Sequence, residues 1–183
     1  MALSTYRRHV RWPTFYEWQR MTRLPGNSVG IIDGTPHLIR RPWRGNLQQL
    51  YYSGHRKTHV MNNQVIVDGD NYVVGCRSGF TGATTDAMSY RLMTPLNVPQ
   101  GLSILADQGY PDAAPLVTTR GRGRELRAAR VRVKHALHDI KIFRSAGSRT
   151  RHQRRTLPAI FGSAVGLRNM RRMYLRSRNV LVG

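Results

Sequence analysis

Cysteine and acid are what this sequence has least of. Its 183 residues include one cysteine, Cys76, and nine Asp and Glu. A single thiol excludes an internal disulfide and a cysteine-built zinc site, so a reducing, intracellular compartment is expected. No apolar run reaches about 18 residues, which excludes a membrane-spanning helix on sequence grounds. The opening Met-Ala-Leu-Ser-Thr-Tyr-Arg-Arg-His lacks the apolar stretch of a secretory leader. Internal repeats are also lacking. With 40% hydrophobic residues, the chain is long enough for one domain with a real core and too short for two.

Positive charge is abundant. Thirty Lys and Arg give a formal net charge of +21, and eighteen of them fall between Arg120 and Arg178 against two acids, Glu125 and Asp139. A field of that sign binds polyanions through phosphate contacts and counterion release. Arg outnumbers Lys, and its forked guanidinium suits phosphate oxygens. No strongly apolar face accompanies the charge, so nucleic acid is favoured over a membrane surface.

The order of elements points to a mixed sheet. Val29 to Thr35 reads as an apolar strand ending in Asp33 before a Gly-Thr turn, and Pro36 to Arg41 as a short second strand. His59–Val67, the turn Asp68-Gly69-Asp70-Asn71, and Tyr72–Cys76 form a hairpin. Thr85 to Met93 is capped and spaced as a helix, and Leu102 to Ala106 is a strand delivering Asp107. Apolar positions 126, 129, 133, 137 and 140 predict one helix over Glu125–Phe143, and a further helix is predicted over Pro158–Leu175. Thr14 caps a short helix in a lead-in segment, residues 1–27. The main domain spans 28–178, strongly basic over 120–178, with a tail at 179–183. Antiparallel strands followed by crossover helices make an α/β class.

Two apolar strands that each end in an aspartate suggest carboxylates meeting at one edge of a sheet. A buried acid must be paired, hydrogen-bonded or metal-bound. On either motif alone the simpler reading is an aspartate that caps or turns its loop. Together they suit a divalent metal such as Mg²⁺, held by carboxylates and substrate phosphates.

In order along the chain, IIDGT (31–35), RPWRGNLQQLYYSGHRKTHVMNNQVIVD (41–68), TDA (85–87) and LADQGYP (105–111) resemble the transposase-derived endonucleases of the DDE superfamily. The Harbinger-like branch is the nearest likeness. RVRVKHALHDIKIFRSAGSRTRH (130–152) and LPAIFGSAVGLRN (157–169) resemble the same family's closing segment. The resemblance implies a ribonuclease H-like mixed sheet flanked by helices, with a basic helical C-terminal part. It implies DNA as partner and Mg²⁺ or Mn²⁺ as cofactor, held by Asp33 and Asp107 at the first two acid positions. The third acid of the family, usually a Glu, is replaced by Lys134 in Val133-Lys134-His135. Glu125 and Asp139 lie roughly 180° and 140° around a helix from position 134, so neither replaces it without a change of register. A Lys there opposes metal binding or stands in for a cation. The family usually carries a separate N-terminal DNA-binding region, so a fragment or decayed copy is the expectation here. A separate DNA-binding partner protein or a homo-oligomer is the partner expected beyond DNA.

Several other residues carry expectations. Asp86 opens a helix and is read as a cap or a supporting acid beside the metal site. Arg56, Lys57, Arg120, Arg122, Arg124, Arg149, Arg151, Arg154 and Arg155 are the candidate nucleic-acid contacts, the last four also fitting a nuclear-import signal. Tyr51 and Tyr52 suit stacking or core packing equally. His55 and His59 fall in a strand-and-loop region, where their spacing does not build a metal site. Cys76 is expected to be buried. Three functions remain open: a metal-dependent nuclease, a non-catalytic DNA- or protein-binding module of the same fold, and a small structural RNA-binding protein.

Overall fold

Alternation of apolar side chains builds the centre of the sheet. Ile31 and Ile32 are neighbours on one strand, both fully buried, and they enter different cores. Such an arrangement requires a strand covered on both faces. The computed structural model describes residues 13–92, 96–111, 114–118, 124–149 and 152–181. The strand is β1, Ser28–Leu38. It pairs antiparallel with β3, Thr58–Val67, and parallel with β5, Ser103–Ala106. β4, Val73–Thr81, and the two-residue β2, Tyr52–Ser53, pair with the outer edge of β3. β6, Leu116–Thr118, extends the parallel side beyond β5.

Helices cover both faces. α1, Phe15–Arg20, starts with a capping box in which Thr14 and Glu17 satisfy each other's backbone donors. Its Trp18 packs with Val29, Ile32, Ile66, Ile104 and Leu116. α2, Gly45–Tyr51, links β1 to β2, and α3, Asp86–Arg91, follows β4. On the opposite face, α4 (Arg124–Ala129), α5 (Val131–Lys141), α6 (Arg144–Gly147) and α7 (Leu157–Leu181) follow in order. Val133, Ala136 and Ile140 of α5 and Phe161, Ala164 and Val165 of α7 bury Ile31, Val65, Val67 and Leu105. Fully burying each such aliphatic side chain contributes about 1.5–3 kcal/mol, so this two-sided core carries the fold.

Four expectations are corrected. β1 does not end at Asp33 but continues to Leu38, absorbing the separate strand expected at Pro36–Arg41. The physical reason is its partner, since β3 stays in register from Ile31↔Val67 to Leu38↔Val60. What stops near Asp33 is the pairing with β5, whose last pair is Ile31↔Leu105. The single helix expected over Glu125–Phe143 is two, interrupted at Arg130, which turns its side chain to Asp107. α7 runs to Leu181, beyond the expected Leu175. Cys76 is half-buried rather than fully so, and burial pushes its thiol up to about 12. The hairpin holds as expected. Asn71 takes φ +63° at the turn, and Asp68 accepts the Tyr72 N–H at 2.8 Å.

Candidate active site

The two strand acids meet because β1 and β5 are adjacent and parallel. Asp33 lies two residues past Ile31 and Asp107 two residues past Leu105, the last pair of the ladder, so both acids fall at the same end of the two strands. Asp33 Oδ1 accepts the Gly34 N–H at 2.9 Å, and Asp107 Oδ1 accepts the Gln108 N–H at 2.6 Å. Burial raises Asp33 to about 6; the Gly34 hydrogen bond and then Arg130 oppose the rise, and Asp86 and Asp107 add to it.

Asp86 is the third carboxylate of the cluster. Thr85, not Asp86, caps α3, accepting the Met88 N–H at 3.2 Å, so the Asp86 side chain is free to turn toward the sheet. It rests over Gly34, where a Cβ would lie 2.0 Å from Asp86 Oδ1. Only glycine admits that approach. The backbone carbonyl of Asp86 accepts the Gln64 side-chain N–H at 2.8 Å, which ties α3 to β3. Desolvation and then Asp107 raise the Asp86 carboxyl above its ordinary value. Tyr110, 4% exposed, receives a second Gln64 N–H at 3.2 Å on its hydroxyl. Burial followed by Asp86, Asp33 and Asp107 pushes that hydroxyl up, so it stays protonated beside the acids.

The cations come from α5 and the residue before it. Arg130 Nη2 lies 2.8 Å from Asp107 Oδ2, with its side chain 13% exposed. Lys141, near the other end of α5, is lowered by burial and then by Arg56, with Asp33 opposing. Arg130, Lys134 and Lys141 fall within about 40° on a helical wheel, so position 134 shares the face that looks toward the acids. Lys134 itself is exposed. The basic residue that grips an acid is Arg130, one turn before the position that the sequence singles out. Arg130, Gly34, Gln64 and Tyr110 escape a reading of the sequence. All four sit inside the quoted motifs, Gly34 in IIDGT, Gln64 in the 41–68 segment, Tyr110 in LADQGYP and Arg130 at the head of the 130–152 segment, but none of the four was singled out there.

A divalent ion fits this arrangement poorly. Both Asp107 oxygens are engaged, one by its own loop and one by Arg130, which already supplies the local positive charge. Among the described residues no group of three or more His, Cys, Asp or Glu could hold a metal ion. Asp33 and Asp86 retain oxygens able to ligate, but completing the coordination of a hard cation would require Asp107 to give up its pair with Arg130.

A cleft of about 690 Å³ adjoins the cluster, lined by Gly34, Asp86 and Gly109 together with His55 and Arg56. Basic side chains gather beyond it. Arg149 donates to Thr58 Oγ1 at 3.4 Å, and the Arg154 guanidinium lies 5.1 Å from the centre of the Tyr51 ring. Partial burial, then Arg41 and Arg149, push His59 below its ordinary value. Arg56, Lys57, Arg149 and Arg155 are exposed, and Arg154 is half-buried. Tyr52 packs edge-on to His59 at 5.5 Å. Arg124 stands apart: it opens α4, which packs on the turn Pro25–Asn27 before β1, the far end of that strand from Thr58. Arg120, Arg122 and Arg151 lie outside the described residues.

The spatial order β4–β3–β1–β5–β6, with β3 alone antiparallel to the central strand and helices on both faces, is the ribonuclease H-like architecture. With acids on β1 and just beyond β5, it defines a domain of nuclease type. The sequence profile of the DDE superfamily endonucleases matches residues 32–169, most of the chain, and the chain belongs to that family. No curated protein and no solved structure matches it. Among the described residues no helix is long and apolar enough to cross a membrane.

Proposed function

We propose that this is a transposase-derived DDE domain, of the Harbinger-like branch, that holds DNA across the cleft between the acid cluster and the Arg56–Arg149–Arg154 rim. Its divalent-metal affinity, and with it phosphodiester cleavage, is attenuated. Asp33 and Asp107 are the retained acids of the family, Asp86 is an added acid, and Lys134 occupies the third acid position. The single observation that carries the attenuation is the 2.8 Å contact from Arg130 to Asp107, a cation placed where a metal would need free carboxylate oxygens. A metal supplies a Lewis acid and an activated nucleophile in such sites. Here the chain's own residues bind DNA, hold Asp107 ion-paired and keep Tyr110 protonated.

A second reading, a DNA-binding module without chemistry, draws on Lys134 alone. Plasmid nicking in Mn²⁺ separates the two. Slow nicking by the wild-type protein that Asp33→Ala abolishes supports a weakened nuclease. No nicking together with salt-sensitive DNA binding supports the module. Binding of neither supercoiled plasmid nor oligonucleotide overturns both. The high basic content fits a nuclear site of action.

A further inference from the structure

Among the described residues, one indole stands almost wholly in solvent. Trp43 is 98% exposed, whereas Trp18 is fully buried. A Trp ring offers about 150–250 Å² of mostly apolar surface and a flat face that can stack on a partner. The loop that presents it is held firmly. Pro42 is buried, Gln48 donates to the Trp43 carbonyl at 3.3 Å, and Arg41 Nε donates to Gln48 Oε1 at 2.9 Å. Trp43 is therefore displayed by an ordered turn at the head of α2. Arg40, Arg41 and Arg44 around it are all exposed.

We infer that Trp43 stacks on an unpaired DNA base whose flanking phosphates are held by Arg40, Arg41 and Arg44. This rests on the DNA reading given above. The position suits it. Arg41 acts on His59 at the start of β3, so the Trp43 loop adjoins the rim formed with Arg149. α2 then carries the chain about 10 Å onward to Tyr51, which Arg154 covers, and to Ser53 and Gly54 in the wall of the acid cleft. A strand in that cleft would pass within reach of the indole. Three arginines and a single aromatic ring select a polyanion that carries flat faces. A lipid surface asks for a broader apolar face, and an acidic peptide would use the charges and leave the ring idle. Inside an intact duplex every base face is already stacked. The partner is therefore a single strand, a frayed end or a base turned out of the helix.

The test uses the full chain with a labelled single-stranded oligonucleotide and a fully paired hairpin duplex of the same length. Trp43→Ala is expected to weaken single-strand binding about tenfold, the worth of one stacked base, and duplex binding by less than about twofold. Trp43→Phe, which keeps a ring, should restore most of the loss, and indole fluorescence should be quenched by the single strand only when Trp43 is present. Equal loss on both probes, or none on either, overturns the proposal while leaving DNA binding in place. Competition by a polyglutamate peptide as strong as by the oligonucleotide also overturns it, because that surface would be reading charge alone. Wild-type protein that binds neither probe overturns both this proposal and the DNA reading.

Discussion

At the scale of single residues, the acid cluster is held at a cost that pH reveals. Asp33 has its folded-state pKa raised to about 6 from 3.8, so the folded protein binds more protons than the unfolded chain between those values. Its contribution to stability therefore falls as pH rises through that window and is unfavourable at neutral pH. Asp33→Asn should raise stability at pH 7 by about 1–3 kcal/mol, a gain that fades below about pH 4, as thermal melts across pH would show. Arg130→Ala should enlarge the Asp33 effect, because its charge opposes the raised value. Gly34→Ala drives a methyl into the Asp86 carboxylate and should destabilise by about 1–3 kcal/mol. Combining it with Asp86→Gly should recover part of the loss in a double-mutant cycle. Additivity would show that the two residues do not touch. Asp33 and Asp107 were legible because each follows an apolar run. Asp86 was legible as a cap or a supporting acid, and the structure gives the cap to its neighbour Thr85. Arg130 was invisible because nothing distinguishes it among thirty basic residues until the fold carries it to Asp107.

At the scale of elements, α7 is pinned to the sheet by polar contacts as well as by its apolar face. Arg168, 3% exposed, donates to the carbonyl and side-chain oxygens of Asn71 at the β3–β4 turn and lies 3.4 Å from Asp139 of α5. Asn169 brackets Val73, accepting its N–H at 3.0 Å and donating to its carbonyl at 2.8 Å. Arg168→Ala removes a buried charge and leaves the turn's oxygens without their donor. A loss of about 2–4 kcal/mol is expected in urea unfolding, less than for a fully buried pair because Asp139 is 41% exposed. Asp139→Ala should cost clearly less, since Asn71 still holds Arg168; the reverse ranking would refute the clamp. The hairpin, α1 and α3 could be read from their turns and caps, which are local signals. α2 and β6 could not. α2 opens with Gly45 and Asn46 and buries no residue, while β6 has three residues and exists because β5 offers an edge. The division between α4 and α5 was hidden too, because apolar spacing continues unbroken through Arg130.

At the scale of the whole molecule, two electrostatic designs oppose each other, a strongly cationic body and a small acidic edge facing a cationic helix. The body should bind duplex DNA with little sequence preference. Affinity should drop by roughly a thousandfold or more between about 50 and 200 mM salt if six or more phosphates are engaged, and a flat response would rule out a phosphate-led grip. The acidic edge decides whether the grip leads to chemistry. Its state is tested most directly by calorimetric Mn²⁺ titration of the wild-type chain beside the Arg130→Ala, Lys134→Glu double variant, both first matched for helix content and melting. The double variant frees an oxygen of Asp107, removes two positive charges and adds a carboxylate on the face that looks toward the cluster. Weak binding by the wild type and at least about tenfold tighter binding by the variant, a gain of about 1.4 kcal/mol, is the result expected if Arg130 and Lys134 hold the site away from metal. Tight, stoichiometric Mn²⁺ binding by the wild type, unchanged or weakened in the variant, would contradict it.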